Sequence, residues 1–226
     1  MMSSNGPPLE VKVWGDFACF TRPEMKAERV SYPVMTPSAA RGVLEAIFWK
    51  PEFSWKVREI WVLNPIRHFS ILRNEVNQKA TVSAARKWAK SGGGYFAEED
   101  RAQRHTLALR DVAYLIRADA VPKPHTTDDV AKFRDQFRRR VSKGKCYYTP
   151  YLGCREFSGS FTEPEGTEKP LDLEDDLGMM LFDLRYVPGK TGRGIPVFFH
   201  SHLSKGVLHV PPELYREEGE KCSCNG

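Results

Sequence analysis

The sequence predicts an α+β protein: a ferredoxin-like, RRM-like N-terminal domain over 9–153 and a smaller β-rich C-terminal domain over 154–212. Two observations predict this. Up to Gly153, segments of period-two and period-3.6 apolar spacing follow one another as strand, helix, strands, strand, helix, strand. From Arg155 onward only strand-like runs occur.

The elements follow in order. Leu9 to Gly15 (LEVKVWG) alternates and reads as a strand. Thr36 caps a helix with Pro37 at its first position, and Ala40, Val43, Leu44 and Ile47 form its apolar face. Pro51 closes that helix. Lys56 to Asn64 and Ile66 to Arg73 read as two strands around an Asn-Pro turn. Thr81 to Lys90 reads as a short helix ended by Gly92, Gly93 and Gly94. Arg104 to Val121 reads as a long strand, with helix as the competing reading. A further helix starts at Thr127, with Asp128 and Asp129 in its first turn and Val130, Phe133, Phe137 and Val141 as its inner stripe. Gly178 to Val187 and Pro196 to Leu203 are strand-like, and Lys205-Gly206 turns the latter into Val207 to Val210. The acidic stretch from 213 to 226 reads as a disordered tail.

Composition narrows the function. Hydrophobic residues make up 41% of the chain, enough for a packed core. No run of eighteen apolar residues occurs, so no membrane span is expected. No signal peptide is evident at the N-terminus, and the expected location is the cytoplasm. The five cysteines are odd in number, and Cys19, Cys146 and Cys154 are scattered, which predicts free thiols. Cys222 and Cys224 lack a second pair at ligand spacing. His200, His202 and His209 are read as a polar sheet face, so neither metal nor cofactor is expected. Gly189-Lys190-Thr191 resembles the end of a phosphate loop, but the required upstream glycine is Leu184; it reads as a basic hairpin loop.

The net charge of +5 is unevenly spread. Between Lys132 and Lys145 lie Lys132, Arg134, Arg138, Arg139, Arg140, Lys143 and Lys145 against a single acid, Asp135. A stripe of this density suits phosphate contact, with a solvated helix face as the plain alternative. Aromatic residues accompany it. Trp49, Lys50 and Trp55 stand at the end of the first helix, and Tyr147, Tyr148, Tyr151 and Arg155 follow the second long one. Aromatic faces stack on unpaired bases while cations hold the phosphates, so the partner expected is RNA. Trp14 and Trp61 are read as core.

Longer strings carry a resemblance. VWGDFACFTRPEMKAERVSYPVMTPSAARGVLEAIFWKP (Val13 to Pro51), VLNPI with RNE (Val62 to Glu75), AQRHTLALRDVAYLI (Ala102 to Ile116), FRRRVSKGKCYYTPYLGCREF (Phe137 to Phe157) and DLGMMLFDLRY (Asp176 to Tyr186) are similar, in collinear order, to the fifth Cas protein family in its CRISPR subtype I-C variant. The resemblance implies the RAMP superfamily, with an RRM-like domain followed by a β-rich one. It implies an endoribonuclease that cuts precursor CRISPR RNA without metal, then holds the 5′ handle of the guide inside Cascade. CRISPR RNA, its precursor and the backbone and large Cascade subunits are the partners implied. The alternative is a non-catalytic subunit that caps the guide RNA, and duplex DNA stands as a further candidate partner.

The family places a Tyr at the end of the first helix and a Lys-His pair at the start of the second. Here those positions are Phe48, Lys132 and Phe133. Phe cannot move a proton, whereas Lys132 can stabilise phosphate charge or act as a base. His125, His68 and His105 are candidate replacements for the imidazole. The expected RNA contacts are Arg22, Lys26 and Arg29 from the first loop, with Lys50, Arg138, Arg139, Lys143, Lys145, Tyr147 and Arg155.

Overall fold

A computed structural model describes residues 6–25, 27–186 and 194–215. Its main element is one curled, nine-stranded sheet, antiparallel except for a two-residue ladder, with three α-helices. The strands are β1 (Leu9–Ala18), β2 (Arg29–Val30), β3 (Phe53–Val62), β4 (His68–Val76), β5 (Arg101–Pro122), β6 (Ser160–Thr162), β7 (Asp175–Arg185), β8 (Ile195–Ser204) and β9 (Val207–His209). The helices are α1 (Pro37–Ile47), α2 (Val82–Ser91) and α3 (Val130–Ser142). The main path runs β6-β1-β5-β3-β9-β8-β7, with β2 and β4 pairing onto β5.

Strand β5 is the axis of the molecule. Its C-terminal half pairs with β1 (Leu9 opposite Ala118) and β3 (Phe53 opposite Pro122), and its N-terminal half pairs with β4 (Val76 opposite Arg101). The helical alternative for this segment is therefore excluded. A helix there would leave β1, β3 and β4 without a common partner for their backbone groups. Burial follows the same division. Val112 to Ile116 are buried, whereas β4 alternates between exposed and half-buried and α2 buries no residue.

Alternation sets the inner face of β1, where Leu9, Val11 and Val13 are buried. The α1 stripe of Ala40, Val43, Leu44 and Ile47 packs into the same core. The Thr36 hydroxyl accepts from the Ala39 N–H at 3.3 Å, a cap worth about 1 kcal/mol. Helix α3 begins later than its first acidic residues suggest. Asp129, not Thr127, is its cap, accepting from Ala131 N–H at 3.0 Å, and Val130 is its first residue. Phe133, Phe137 and Val141 are buried as expected, while Val130 is only half-buried.

The late segments are joined to the sheet by β9, which pairs with β3 on one side and β8 on the other. The turn into β9 needs positive φ at both central residues, 49° at Lys205 and 70° at Gly206. Leu177, Met180, Phe182, Phe199, Leu203 and Leu208 belong to the same apolar cluster as β1 and α1. At the expected start of the tail, Pro212–Tyr215 form a 3-10 turn. The Tyr215 hydroxyl bonds both N–H and C=O of Val57, and its ring packs on Phe182. The Gly189–Thr191 loop and the Cys222/Cys224 pair lie outside the described residues. Among the described residues, no helix is long and apolar enough to cross a membrane.

Candidate nucleic-acid interface

Helices α1 and α3 meet at the C-terminal end of α1. Phe53, the first residue of β3, fills the space between them. Its ring lies 5.4 Å from Phe48 and stacks on Phe133 at 5.0 Å. Trp55 and Phe137 extend the cluster, with ring centroids 4.8 Å apart. Phe48 and Phe133 are 3% and 0% exposed, so both positions implied by the resemblance are closed to a ligand. Both side chains lie in the core, the lower free-energy place for an aromatic hydrocarbon. Trp55 joins the same core, 2% exposed, its indole N–H donating to the Phe48 carbonyl at 2.9 Å. Its expected place in the binding constellation is thereby corrected.

Cations ring this cluster. The Lys50 ammonium stands over the Phe133 ring at 5.8 Å, and the Arg140 guanidinium over Phe48 at 5.6 Å. Arg140 also donates to the Ile47 carbonyl at 3.1 Å, capping α1. The Tyr147 N–H donates to Ala46 C=O at 2.8 Å and fixes the following loop to the same helix end. The Tyr147 ring itself is 84% exposed.

Lys132 projects from the N-terminal turn of α3, 3.0 Å from each carboxylate oxygen of Asp128. The preceding loop is pinned where Lys123 N–H donates to Glu52 C=O at 2.9 Å. Thr126 N–H returns to Lys123 C=O at 3.0 Å, closing a turn with Pro124 and His125 at its centre. His125 is exposed there. His68 and His105 lie on the β4–β5 ladder instead.

The C-terminal end of α3 is shaped by Gly144, whose φ of 59° breaks the helix. Gly144 N–H donates to Val141 C=O and Lys145 N–H to Arg140 C=O, a Schellman pair. Just beyond the last turn lies a cleft of about 630 Å³ lined by Gln136, Arg139, Arg140, Lys143, Lys145 and Cys146. Arg139, Lys143 and Lys145 are exposed. Cations at a helix C-terminus offset its dipole, and four around one cleft give it a strongly positive lining. Lys132 and Lys143 are separated by about 16 Å along the helix axis.

The remaining expected contacts are more dispersed. Arg138 pairs with Asp135 at 3.4 Å. Arg22 lies over the Tyr32 ring at 4.5 Å and 3.8 Å from Glu24. Arg29 is occupied by Cys154, Glu75 and Glu156. Arg155 is exposed, and Lys26 is outside the described residues. Trp14, expected in the core, is 40% exposed on the outer face of β1, beside a second cleft. Trp61 is half-buried under Arg117, whose guanidinium lies 5.3 Å from its ring. Strand alternation explains both: their neighbours Val13, Ile60 and Val62 take the inner face. His200, His202 and His209 pair with Asp176, Glu174 and Glu59. Among the described residues, no three His, Cys, Asp or Glu side chains are grouped to hold a metal ion.

Comparison with known proteins completes the picture. The family model for CRISPR-associated protein (Cas_Cas5), in its Cas5d form, matches residues 8–211. The chain is 51% identical to a Thermus thermophilus protein named CRISPR pre-crRNA endoribonuclease Cas5d, over 92% of this chain and 93% of that one. A Mannheimia succiniciproducens protein of the same name is 44% identical, over 93% and 97%. A crystal structure titled CRISPR-associated Protein superposes with a TM-score of 0.64 at 24% identity, covering 92% of this chain and 96% of that one. A functionally uncharacterized Streptococcus mutans protein superposes at 0.63 with 22% identity, over 91% and 92%. The chain belongs to the Cas5 family of CRISPR-associated proteins, in its subtype I-C branch.

Proposed function

We propose that this chain is a pre-crRNA endoribonuclease that then remains on the 5′ handle of the CRISPR RNA as a Cascade subunit. Relatives 51% and 44% identical over nearly their whole length bear that activity in their names. The observation that carries the RNA reading is the cleft of Arg139, Arg140, Lys143 and Lys145 beyond α3. Its cations are side chains on a rigid helix end, already paid for by the fold, and suit successive phosphates.

The strand order β6-β1-β5-β3, with α1 and α3 packed into one core, supports the ferredoxin-like reading of the first part. The division near Gly153 is kept as part of this proposal. In the reaction, the ribose 2′-OH attacks the adjacent phosphate and the 5′ oxygen leaves. Lys132 stabilises the charge on the phosphorane. With Phe133 buried, His125, exposed on the loop pinned beside Glu52, takes the place of the family imidazole. Lys50, Arg138, Arg139, Lys143, Lys145, Tyr147 and Arg155 hold the RNA, with Arg22 and Lys26 reaching it from the first loop, where Arg29 is instead tied to Cys154, Glu75 and Glu156.

The burial of both Phe48 and Phe133 favours a second reading, a guide-capping subunit that binds without cutting. Labelled repeat RNA incubated with the protein in EDTA separates them. Cleavage at the hairpin base that is lost with Lys132→Ala and His125→Ala supports the nuclease. Tight, salt-sensitive binding to intact RNA supports the cap. Competition with duplex DNA tests the remaining partner.

A further inference from the structure

Cys19 and Cys154 are 135 residues apart in sequence and adjacent in space. Cys19 directly follows β1, and its N–H donates to Leu152 C=O at 3.0 Å. Gly153, at a φ of 85°, passes so close that a Cβ there would lie 2.0 Å from the Cys19 carbonyl oxygen. That approach lets the Cys154 thiol donate to the same oxygen at 3.6 Å. The Thr21 hydroxyl lies between them, 3.5 Å from Cys19 Sγ and 3.9 Å from Cys154 Sγ. The Arg29 guanidinium donates to Cys154 Sγ at 3.3 Å. Cys19 is fully buried and Cys154 is 7% exposed.

A buried cysteine in apolar surroundings is inert packing. This pair differs because an arginine is directed at one sulfur and not the other. We propose that Cys154 and Cys19 form a peroxide-reactive dithiol, with Cys154 as the attacking sulfur and Cys19 as the resolving one. The inference does not rest on the nuclease reading. The hydrogen bond from Cys19 and the Arg29 charge pull the Cys154 thiol below the usual range, against its burial. The Cys19 thiol is pushed well up by its bond to Cys154 and by burial, and keeps its proton.

The chemistry balances with a hydroperoxide as oxidant. The Cys154 thiolate attacks the outer peroxide oxygen, the O–O bond breaks, and the alkoxide or hydroxide leaves with a proton. Cys154 is then a sulfenic acid. Cys19 sulfur attacks Cys154 sulfur, and the sulfenic oxygen leaves as water with the Cys19 proton. Two electrons pass from the two sulfurs to the peroxide, and one S–S bond forms. Oxidation also removes the negative sulfur from Arg29 and ties the Leu152–Cys154 loop to the end of β1.

The test uses the full, reduced chain and hydrogen peroxide at a few equivalents, followed by alkylation and peptide mass mapping. The expected product is a Cys19–Cys154 linked peptide that dithiothreitol reverses. Arg29→Gln should slow its formation roughly tenfold, because less of the sulfur is thiolate at neutral pH. Cys19→Ser should leave a sulfenic acid on Cys154 that dimedone traps. The proposal is overturned if oxidation falls on Cys146, Cys222 or Cys224 while Cys19 and Cys154 stay alkylatable. It is equally overturned if Cys154 is oxidised in the wild-type chain without linkage to Cys19.

Discussion

Lys132 and Asp128 form a bidentate pair, 3.0 Å to each carboxylate oxygen, on the rim of an otherwise apolar junction. The Lys132 side chain is 57% exposed and that of Asp128 33%, so the pair contributes no more than about 1 kcal/mol to stability. The ammonium is charged, oriented and cheap to release toward a phosphate. Lys132→Ala should therefore lower repeat-RNA cleavage by about 10²–10³-fold, the usual loss of one charge-stabilising group. Thermal melting should hardly move. Asp128→Asn should leave cleavage intact or raise it, as single-turnover rates will reveal.

The α3 cleft should dominate affinity and its salt dependence. Replacing Arg139, Lys143 and Lys145 together by Ala should flatten the slope of log K against log salt by about 2–3, close to one per lost phosphate contact. Filter binding at several salt concentrations measures this. An unchanged slope would remove the cleft from the RNA path.

Phe133→Ala should cost about 3–5 kcal/mol, because Phe53 and Lys50 cannot both close over the void. Phe133→His should also destabilise, since a buried imidazole here has no partner on Phe53 or Phe137. Chemical denaturation gives both values.

Acid should loosen the sheet through Glu59. Burial opposes its ionisation, yet the Trp61 indole N–H and the Arg117 guanidinium hold the carboxyl below the usual range. A carboxyl depressed in the folded state adds stability that is present above its unfolded value, about 4.3, and lost as pH falls below it. Glu59→Gln should be less stable at neutral pH and should lose less on acidification below about pH 4.3, as urea titrations across that range will measure.

Gly153→Ala should destabilise by about 2–4 kcal/mol, since both the positive φ and the Cys19 carbonyl forbid a side chain. Gly144→Ala, also at positive φ but with open space around it, should cost less. The difference in melting temperature between the two variants isolates the steric part.

Much of the fold was legible because local patterns decided it. Thr36-Pro37 marks the start of α1, alternation marks β1 and β8, and Lys205-Gly206 marks the last hairpin. The start of α3 is ambiguous in the sequence because Thr127, Asp128 and Asp129 are all competent caps, and in the fold Asp129 is the one that caps the helix backbone. The outward turn of Trp14 follows from the same alternation, since Leu9, Val11 and Val13 take the inner face and leave Trp14 on the outer one; its bulk and apolarity pointed the other way. At the site, the basic stripe of α3 was readable. The cleft was not, because it needs the Gly144 reversal and the neighbouring loop. Nor could spacing pair Cys19 with Cys154, whose meeting depends on the path of Gly153 past β1.

Strand β9 is three residues long, and among the described residues it alone seals β3 to β8. It is also synthesised long after β3. Until His209 emerges, β3 presents a bare edge to the cell, although its partner β5 was made almost ninety residues earlier. Such an edge invites pairing with another nascent chain. Slowed translation just upstream of Val207, or truncation there, should therefore yield aggregates rather than a smaller working protein.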